Sequence, residues 1–216
     1  MHPAITGKTR LVALLGSPVA HSHSPAMQNA AFQAAGVDAV YLAFDIGVAE
    51  AAQAVQALRT MQVLGANVTM PLKRAVCDFL DDLSPAARLA GAVNTIVNHD
   101  GRLTGHTTDG AGFLKSLEEA GVPWVGRKLV LLGAGGAATA VAVEAALGGA
   151  GAVTLFNARD SFWHAAQALV DQLQSQLSCH VRLQDLNDTE ALRQELADAA
   201  ILANGTPVGM EAPAGQ

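Results

Sequence analysis

The sequence predicts an α/β protein built from two domains in series. Three observations carry this. Short apolar runs with strand character alternate with helix-like segments along the chain, which argues for sheets covered by helices. Of the 216 residues, 50% are hydrophobic and only 15% charged, with 21 glycines, a composition suited to close packing of helices on sheets. The alternation is interrupted once, at Val122-Pro123-Trp124, after a helical stretch that begins near Asp109. We place the domains at residues 1–109 and 110–216, with that helix as the connector.

Taken in order, residues 11–16 form an apolar run ending in Gly16, the pattern of a buried strand. Ser24-Pro25 opens a helix, with Ser24 as the expected N-cap and Pro25 in the first turn, and Gly36 stops it. Residues 40–46 read as a strand and 48–61 as an Ala-rich helix. A third strand spans 64–70 and is cut by Pro71. Helical patterns follow at 74–80 and 85–89, then a strand at 92–98 and a turn at Asp100-Gly101. The second series runs strand 128–132, helix to 147, strand 153–157, helix 162–177, strand 180–184, helix 189–199 and strand 200–204. Strands separated by helices predict parallel pairing and right-handed crossovers. The polar segment 211–216 carries no element of its own.

Composition also excludes classes. The formal net charge is −6 and no Lys/Arg cluster is present, which argues against a nucleic-acid partner. No apolar stretch reaches the length of a membrane span; the run from Ala134 to Leu147 is short and rich in Gly and Ala. Cys77 and Cys179 are far apart and lack a metal-ligand pattern, as expected of two thiols in a reducing compartment. With no leader-like N-terminus, we expect a soluble cytoplasmic protein.

Gly133-Ala134-Gly135-Gly136-Ala137-Ala138 places a G-x-G-x-x-A turn between a predicted strand and a predicted helix. That context is what a dinucleotide-binding turn of the Rossmann type requires. The first glycine permits the tight turn and the second lets a pyrophosphate approach. Ala138 allows close helix–strand packing, and the helix start attracts phosphate. The next strand ends in Phe156-Asn157-Ala158-Arg159-Asp160. Asp160 could bond the adenosine ribose and repel a 2′-phosphate, favouring NAD, whereas Arg159 could pair with NADP. Asp160 could equally be the N-cap of the following helix.

In the first half, polar residues gather at strand ends, where α/β proteins collect ligand groups. They are His21-Ser22-His23-Ser24, Asn67-Val68-Thr69 with Lys73, Asn94-Thr95, and Thr107-Thr108-Asp109. Hydroxyls, carboxamides, one ammonium and one carboxylate suit a small polyol bearing a carboxylate. Taken singly, Ser24 and Asp109 also read as helix caps, Asn67 as a turn residue and Lys73 as a surface lysine.

Together these stretches resemble the shikimate dehydrogenase family. Gly16-Ser17-Pro18-Val19-Ala20-His21-Ser22-His23-Ser24-Pro25, Asn67-Val68-Thr69-Met70-Pro71-Leu72-Lys73, Gly91-Ala92-Val93-Asn94-Thr95 and Thr108-Asp109-Gly110 occur in the family's order. The glycine turn and Asn204-Gly205-Thr206-Pro207-Val208-Gly209-Met210 continue the match over nearly the whole chain. Phe156-Asn157-Ala158-Arg159-Asp160 is similar to the quinate/shikimate dehydrogenase branch, which accepts NAD as well as NADP. The strictly NADP-dependent branch typically has Arg directly after the Asn, where this chain has Ala158.

The resemblance implies an N-terminal α/β substrate domain followed by a Rossmann-like dinucleotide-binding domain. The implied reaction is reversible oxidation of the C3 hydroxyl of shikimate or quinate to the 3-dehydro compound, in the shikimate pathway of aromatic amino acid biosynthesis. It implies Lys73 and Asp109 as the catalytic pair and Ser22 and Ser24 on the substrate carboxylate. Asn67, Thr69, Asn94 and Thr108 would hold ring hydroxyls. Gly133, Ala134, Gly135, Gly136, Ala137, Asn157, Arg159, Asp160, Asn204 and Thr206 would hold the dinucleotide, NAD with NADP also allowed. No metal is implied, because the nicotinamide takes the hydride unaided. A homodimer is compatible with this reading.

Two departures stand out. Thr107-Thr108-Asp109, preceded by His106, stands where the family usually has Asn-Thr-Asp after an aromatic. The chain also stops before the family's last segment, which returns to the substrate domain with an aromatic and a Gln. We therefore expect a dinucleotide domain incomplete at its C-terminus, an incompletely closed site, and a chain that is poorly soluble and slow. Two competing readings keep part of this picture: a related two-domain dehydrogenase with another substrate, such as the methylene-tetrahydrofolate dehydrogenases, and a dinucleotide-binding homologue without turnover.

Overall fold

A computed structural model describes residues 5–209. Met210 and segment 211–216 lie outside the described residues. The chain divides into two compact units, Met1–Thr107 and Thr108–Gln216, so that Asp109 belongs to the second.

The first unit contains strands β1 (Arg10–Gly16), β2 (Ala39–Asp45), β3 (Gly65–Val68), β4 (Asp82–Leu83), β5 (Thr95–His99) and β6 (Arg102–His106). Its helices are α1 (Ser24–Ala35), α2 (Ala51–Thr60), α3 (Leu72–Ala75) and α4 (Pro85–Ala90). The strand order is β2-β1-β3-β5-β6-β4. β1 pairs in parallel with both β2 and β3, as expected. The core on one face is built from Leu15, Val55, Leu58, Val68, Leu72 and Ile96, all almost completely buried.

Half of this sheet corrects the expectation of purely parallel pairing. β5 runs antiparallel to β3, and β6 antiparallel to β5. The Asp100-Gly101 turn joins β5 and β6 as a tight hairpin, which needs no crossover helix. β6 and β4 were not expected as strands. β6 is short and contains Gly105, a residue of low strand propensity, where a Cβ would press within 2.6 Å of Leu80 and Val93 side chains. The strand expected at 92–98 begins only at Thr95, because the Val93 N–H donates instead to the Lys73 carbonyl at 2.7 Å. The helix expected at 74–80 is the short α3 followed by a single 3-10 turn at Cys77–Phe79.

The second unit contains α5 (Asp109–Glu119), β7 (Lys128–Leu132), α6 (Gly136–Leu147), β8 (Ala152–Asn157), α7 (Trp163–Gln176), β9 (His180–Asp185), α8 (Thr189–Leu196) and β10 (Ile201–Asn204). The four strands are all parallel in the order β10-β7-β8-β9. β7 and β8 lie at the centre and read as near-continuous apolar runs because both faces are covered. α6 is buried over most of its circumference, and its alanines let it approach its neighbours closely. Among the described residues no helix is long and apolar enough to cross a membrane.

α8 has no fully buried residue, and a charged network anchors it to the sheet. Lys128 Nζ on β7 lies 2.8 Å from Glu195 Oε2 and also pairs with Asp198. The buried Thr154 hydroxyl donates to Glu195 Oε2 at 2.9 Å. Burial alone would raise the Glu195 pKa, but the bonds from Lys128 and Thr154 outweigh it and hold the carboxyl below its ordinary range. For Lys128, burial would lower the value, yet its bonds to Asp198 and Glu195 raise it above the ordinary lysine range. The carboxylate's stabilisation is complete above the ordinary glutamate range and is lost as pH falls through the depressed folded value. The lysine's is complete below the ordinary lysine range and is lost as pH rises through its raised value. We expect the urea midpoint to fall on acidification below the ordinary glutamate range. Glu195→Gln should flatten that slope, and an unchanged slope would remove Glu195 from the acid response.

Candidate functional site

In the first unit, the carboxyl end of β1 leads into the loop that carries Ser22 and Ser24. This loop is tied to the segment after β3, since Ser17 N–H donates to Met70 O at 2.9 Å and Thr69 N–H to Leu15 O at 2.9 Å. A cavity of about 300 Å³ opens here, lined by Val19, His21, Ser22, His23, Ser24 and Thr69. The structure thus brings Ser22, Ser24 and Thr69 together. Ser24 is not the N-cap expected from the sequence. It is the first helical residue of α1, His23 occupies the cap position without a side-chain bond, and Ser24 N–H donates to Ser22 Oγ at 3.2 Å.

A larger cleft, about 420 Å³, lies at the opposite end of the same sheet beside Arg10, Arg59 and the β5–β6 turn. Its guanidinium groups are already used: Arg10 donates to Gln62 O, and Arg59 to Phe79 O and Asp81. Size alone does not make it the better candidate, because the sequence motifs and free ends of the parallel strands converge on the smaller cavity.

Asn67 lies next to the end of β3, opposite Thr95 at the start of β5. Its Nδ2 reaches Asn94 O and Thr95 Oγ1, both at 3.4 Å, while Thr95 Oγ1 donates to Asn94 Oδ1 at 2.9 Å. Two motif segments therefore meet in one polar cluster. Lys73 sits in α3, whose backbone is anchored by the bond from Val93. Asp109 is the first residue of α5 and Thr108 its cap position, with no side-chain capping bond. None of Lys73, Asn94, Thr108 and Asp109 is without an interaction partner.

The sequence reasoning missed Tyr41. Its ring is 1% exposed, and its hydroxyl donates to Asn67 Oδ1 at 2.8 Å. The signal was available: it is the chain's one tyrosine, placed in an apolar strand, and a buried phenol hydroxyl needs a partner.

In the second unit the glycine turn has the geometry of an anion cradle. Gly133 has φ 95°, and its N–H donates to Phe156 O at 2.7 Å. A Cβ at Gly135 or Gly136 would meet no protein atom within 4 Å, so packing within the protein does not demand these glycines. Gly135 caps α6 without any side-chain bond, which leaves the helix start available to phosphate. Gly136 and Ala137 are exposed, and Ala138 is buried where Gly205 approaches it. These features fit a dinucleotide pyrophosphate.

Asn157 braces the turn. Its Oδ1 accepts from Ala134 N–H at 3.0 Å, and its Nδ2 donates to Ala158 O and to Asp160 Oδ1 at 2.7 and 2.9 Å. Asp160 Oδ1 also accepts from Phe162 N–H at 2.9 Å, just ahead of α7, so it closes a turn before the helix rather than capping a helix at Ser161. Arg159 is paired with Asp185 at 2.8 Å and stacks 4.5 Å above the Trp163 ring. Asn204 and Thr206 organise their own loop: Thr206 N–H and Oγ1 both donate to Asn204 Oδ1, and Asn204 Nδ2 donates to Val208 O. This loop lies against the glycine turn, where a Cβ on Gly133 would meet Thr206 at 2.9 Å.

Known proteins resemble both units of the chain. Residues 14–96 match the family described as the shikimate dehydrogenase substrate binding domain. A shikimate dehydrogenase (NADP(+)) of Listeria monocytogenes serotype 4b (strain F2365) is 48% identical over 207 residues, covering 96% of this chain and 71% of that protein. The crystal structure of shikimate 5-dehydrogenase from Listeria monocytogenes in complex with shikimate and NAD superposes with a TM-score of 0.95 at 47% identity, covering 98% of this chain and 73% of that one. The ligand-free 5-ketofructose reductase of Gluconobacter sp. strain CHM43 gives a TM-score of 0.84 at 36% identity, covering 97% and 73%. With an N-terminal mixed sheet carrying the serine loop and a parallel, partial Rossmann-like sheet carrying the glycine turn, the chain belongs to the shikimate dehydrogenase family, NAD(P)-dependent oxidoreductases acting on CH–OH groups.

Proposed function

We propose that this chain interconverts shikimate and 3-dehydroshikimate, with quinate as a second substrate. The observation that carries the reading is the pairing, in one chain, of the cavity lined by Ser22, Ser24 and Thr69 with a glycine turn whose helix start is uncapped. The first unit would hold the substrate and the second the dinucleotide. Ser22 and Ser24 offer hydroxyls to the substrate carboxylate, while Thr69, Asn67, Asn94 and Thr108 offer donors and acceptors to the ring hydroxyls. The dinucleotide, when bound, supplies the hydride acceptor. As hydride leaves C3 the hydroxyl must lose its proton, and Lys73 takes it, with Asp109 as the second member of the catalytic pair. In the reverse direction Lys73 returns the proton.

For the cofactor we propose a preference for NAD. Asp160 places a carboxylate at the carboxyl end of β8, where it favours a ribose 2′-OH and repels a 2′-phosphate. Arg159, the natural partner of such a phosphate, is drawn away by Asp185 and Trp163. Initial rates with shikimate and quinate, each with NAD and NADP, test the reading, and 5-ketofructose serves as the competing substrate. Turnover of 5-ketofructose alone would replace the substrate assignment, and dinucleotide binding without any turnover would leave only a binding protein. Asp160→Ala should reduce the NAD:NADP ratio of kcat/KM about five- to tenfold, the scale of one nearby charge repulsion in water. The ratio cancels any general loosening of the turn, so an unchanged ratio would reduce Asp160 to a turn residue.

A further inference from the structure

We propose that Tyr41 is a positioning residue for substrate recognition, setting the direction in which Asn67 presents its amide. The inference rests on the assignment of shikimate to the first unit. The amide orientation follows from its surroundings. The Asn94 carbonyl, 3.4 Å from Asn67 Nδ2, can only accept a hydrogen bond, so the NH2 group must face it. Asn67 Oδ1 then faces Tyr41, whose hydroxyl donates at 2.8 Å. Burial pushes the Tyr41 pKa up, which keeps the phenol protonated and a donor.

Tyr41 is itself held from behind. Asn29 on α1 accepts from Tyr41 N–H at 2.8 Å through Oδ1 and donates to Tyr41 O at 2.9 Å through Nδ2. The same Nδ2 donates to Pro25 O at 2.8 Å, next to Ser24. A continuous set of bonds thus runs from the start of α1, through the edge strand β2, to the end of β3. It ties the serine loop to Asn67, two segments far apart in sequence. The bonds of Asn67 Nδ2 to Asn94 O and Thr95 Oγ1 are long, so a substrate hydroxyl at ordinary distance can replace one of them. Tyr41 keeps Oδ1 occupied, which leaves Asn67 to act toward the substrate as a donor.

Tyr41→Phe removes only the hydroxyl and preserves the packed ring. We expect the KM for shikimate to rise about fivefold, the size of a lost buried hydrogen bond of about 1 kcal/mol. The KM for the dinucleotide should not change. In an Asn67→Ala background the same substitution should add nothing to the shikimate KM, although any loss of thermal stability should persist. In the ligand-free protein, the Asn67 side-chain amide resonances should shift and broaden in Tyr41→Phe as the side chain loses its bond at Oδ1. An unchanged shikimate KM, or an equal effect of Tyr41→Phe with and without Asn67, would assign the hydroxyl to packing and overturn the proposal. If the wild-type chain turns over no shikimate, the substrate assignment itself falls and this role with it. That failure is visible in the wild type, before any variant is compared.

Discussion

Replacing Lys73 by alanine should lower kcat for shikimate oxidation about 10²–10⁴-fold, the usual worth of a general acid–base group, while leaving dinucleotide binding near its wild-type value. Lys73 lies in α3, directly after the segment that contributes Asn67 and Thr69, and its carbonyl is fixed by Val93 N–H at 2.7 Å. The main chain around it is therefore set by two segments that also carry substrate-binding candidates, whereas the glycine turn belongs to the other unit. Chemistry should suffer and dinucleotide affinity should not. Asp109→Asn keeps the size of the side chain and removes its charge, so it should act in the same direction. If the two residues work as one unit, the double variant should be far less than additive. Steady-state kinetics with fluorescence titration of the dinucleotide separates these quantities. Near-normal turnover in Lys73→Ala would take the lysine out of the mechanism.

Gly110→Ala should destabilise the second unit by about 2–3 kcal/mol, at the upper end for an added buried methyl group. Gly110 follows Asp109 in α5, and an added Cβ would lie 2.2 Å from Ala140 O and 2.7 Å from Ala140 C. These are backbone atoms of α6, so no rotamer change relieves the contact and the helices must separate. Asp109 would move with them, so kcat should fall along with stability. Gly112 supplies the control on the same helix, since a Cβ there meets nothing within 4 Å. Gly112→Ala should be neutral or stabilising by up to about 1 kcal/mol through helix propensity alone. Urea unfolding of the two variants decides the matter. Equal stability of both would mean that α5 and α6 tolerate a wider spacing.

Most elements of the fold are legible in the sequence because their signals are local. Apolar runs of strand length at β1, β2, β7 and β8, the proline in the first turn of α1 and the glycine after it all act within a few residues. The glycine turn is legible for the same reason, as strand, turn and helix are contiguous. The expected strand at 92–98 starts late and the helix at 74–80 breaks up because each is overruled by a bond to a distant partner, Val93 to Lys73 being the clearest. The site follows the same division. Ser22, Ser24, Thr69, Asn67 and Asn94 stood out as polar residues at strand ends, whereas Tyr41 did not, because its importance lies in a partner 26 positions away.

The sequence by itself determined the α/β class, the series of two sheets, the position of the glycine turn and the family's polar motifs, since each depends on residue periodicity and spacing along the chain. Only the tertiary structure decided that β5 and β6 reverse direction, that Gly110 is needed against Ala140, that Glu195 secures α8 through Lys128, and that Tyr41 holds Asn67. Each of these is a contact between segments distant in the chain. A hydrogen bond or a close approach is fixed by strand order and by the few ångströms between packed elements, and neither is encoded in any one stretch of residues.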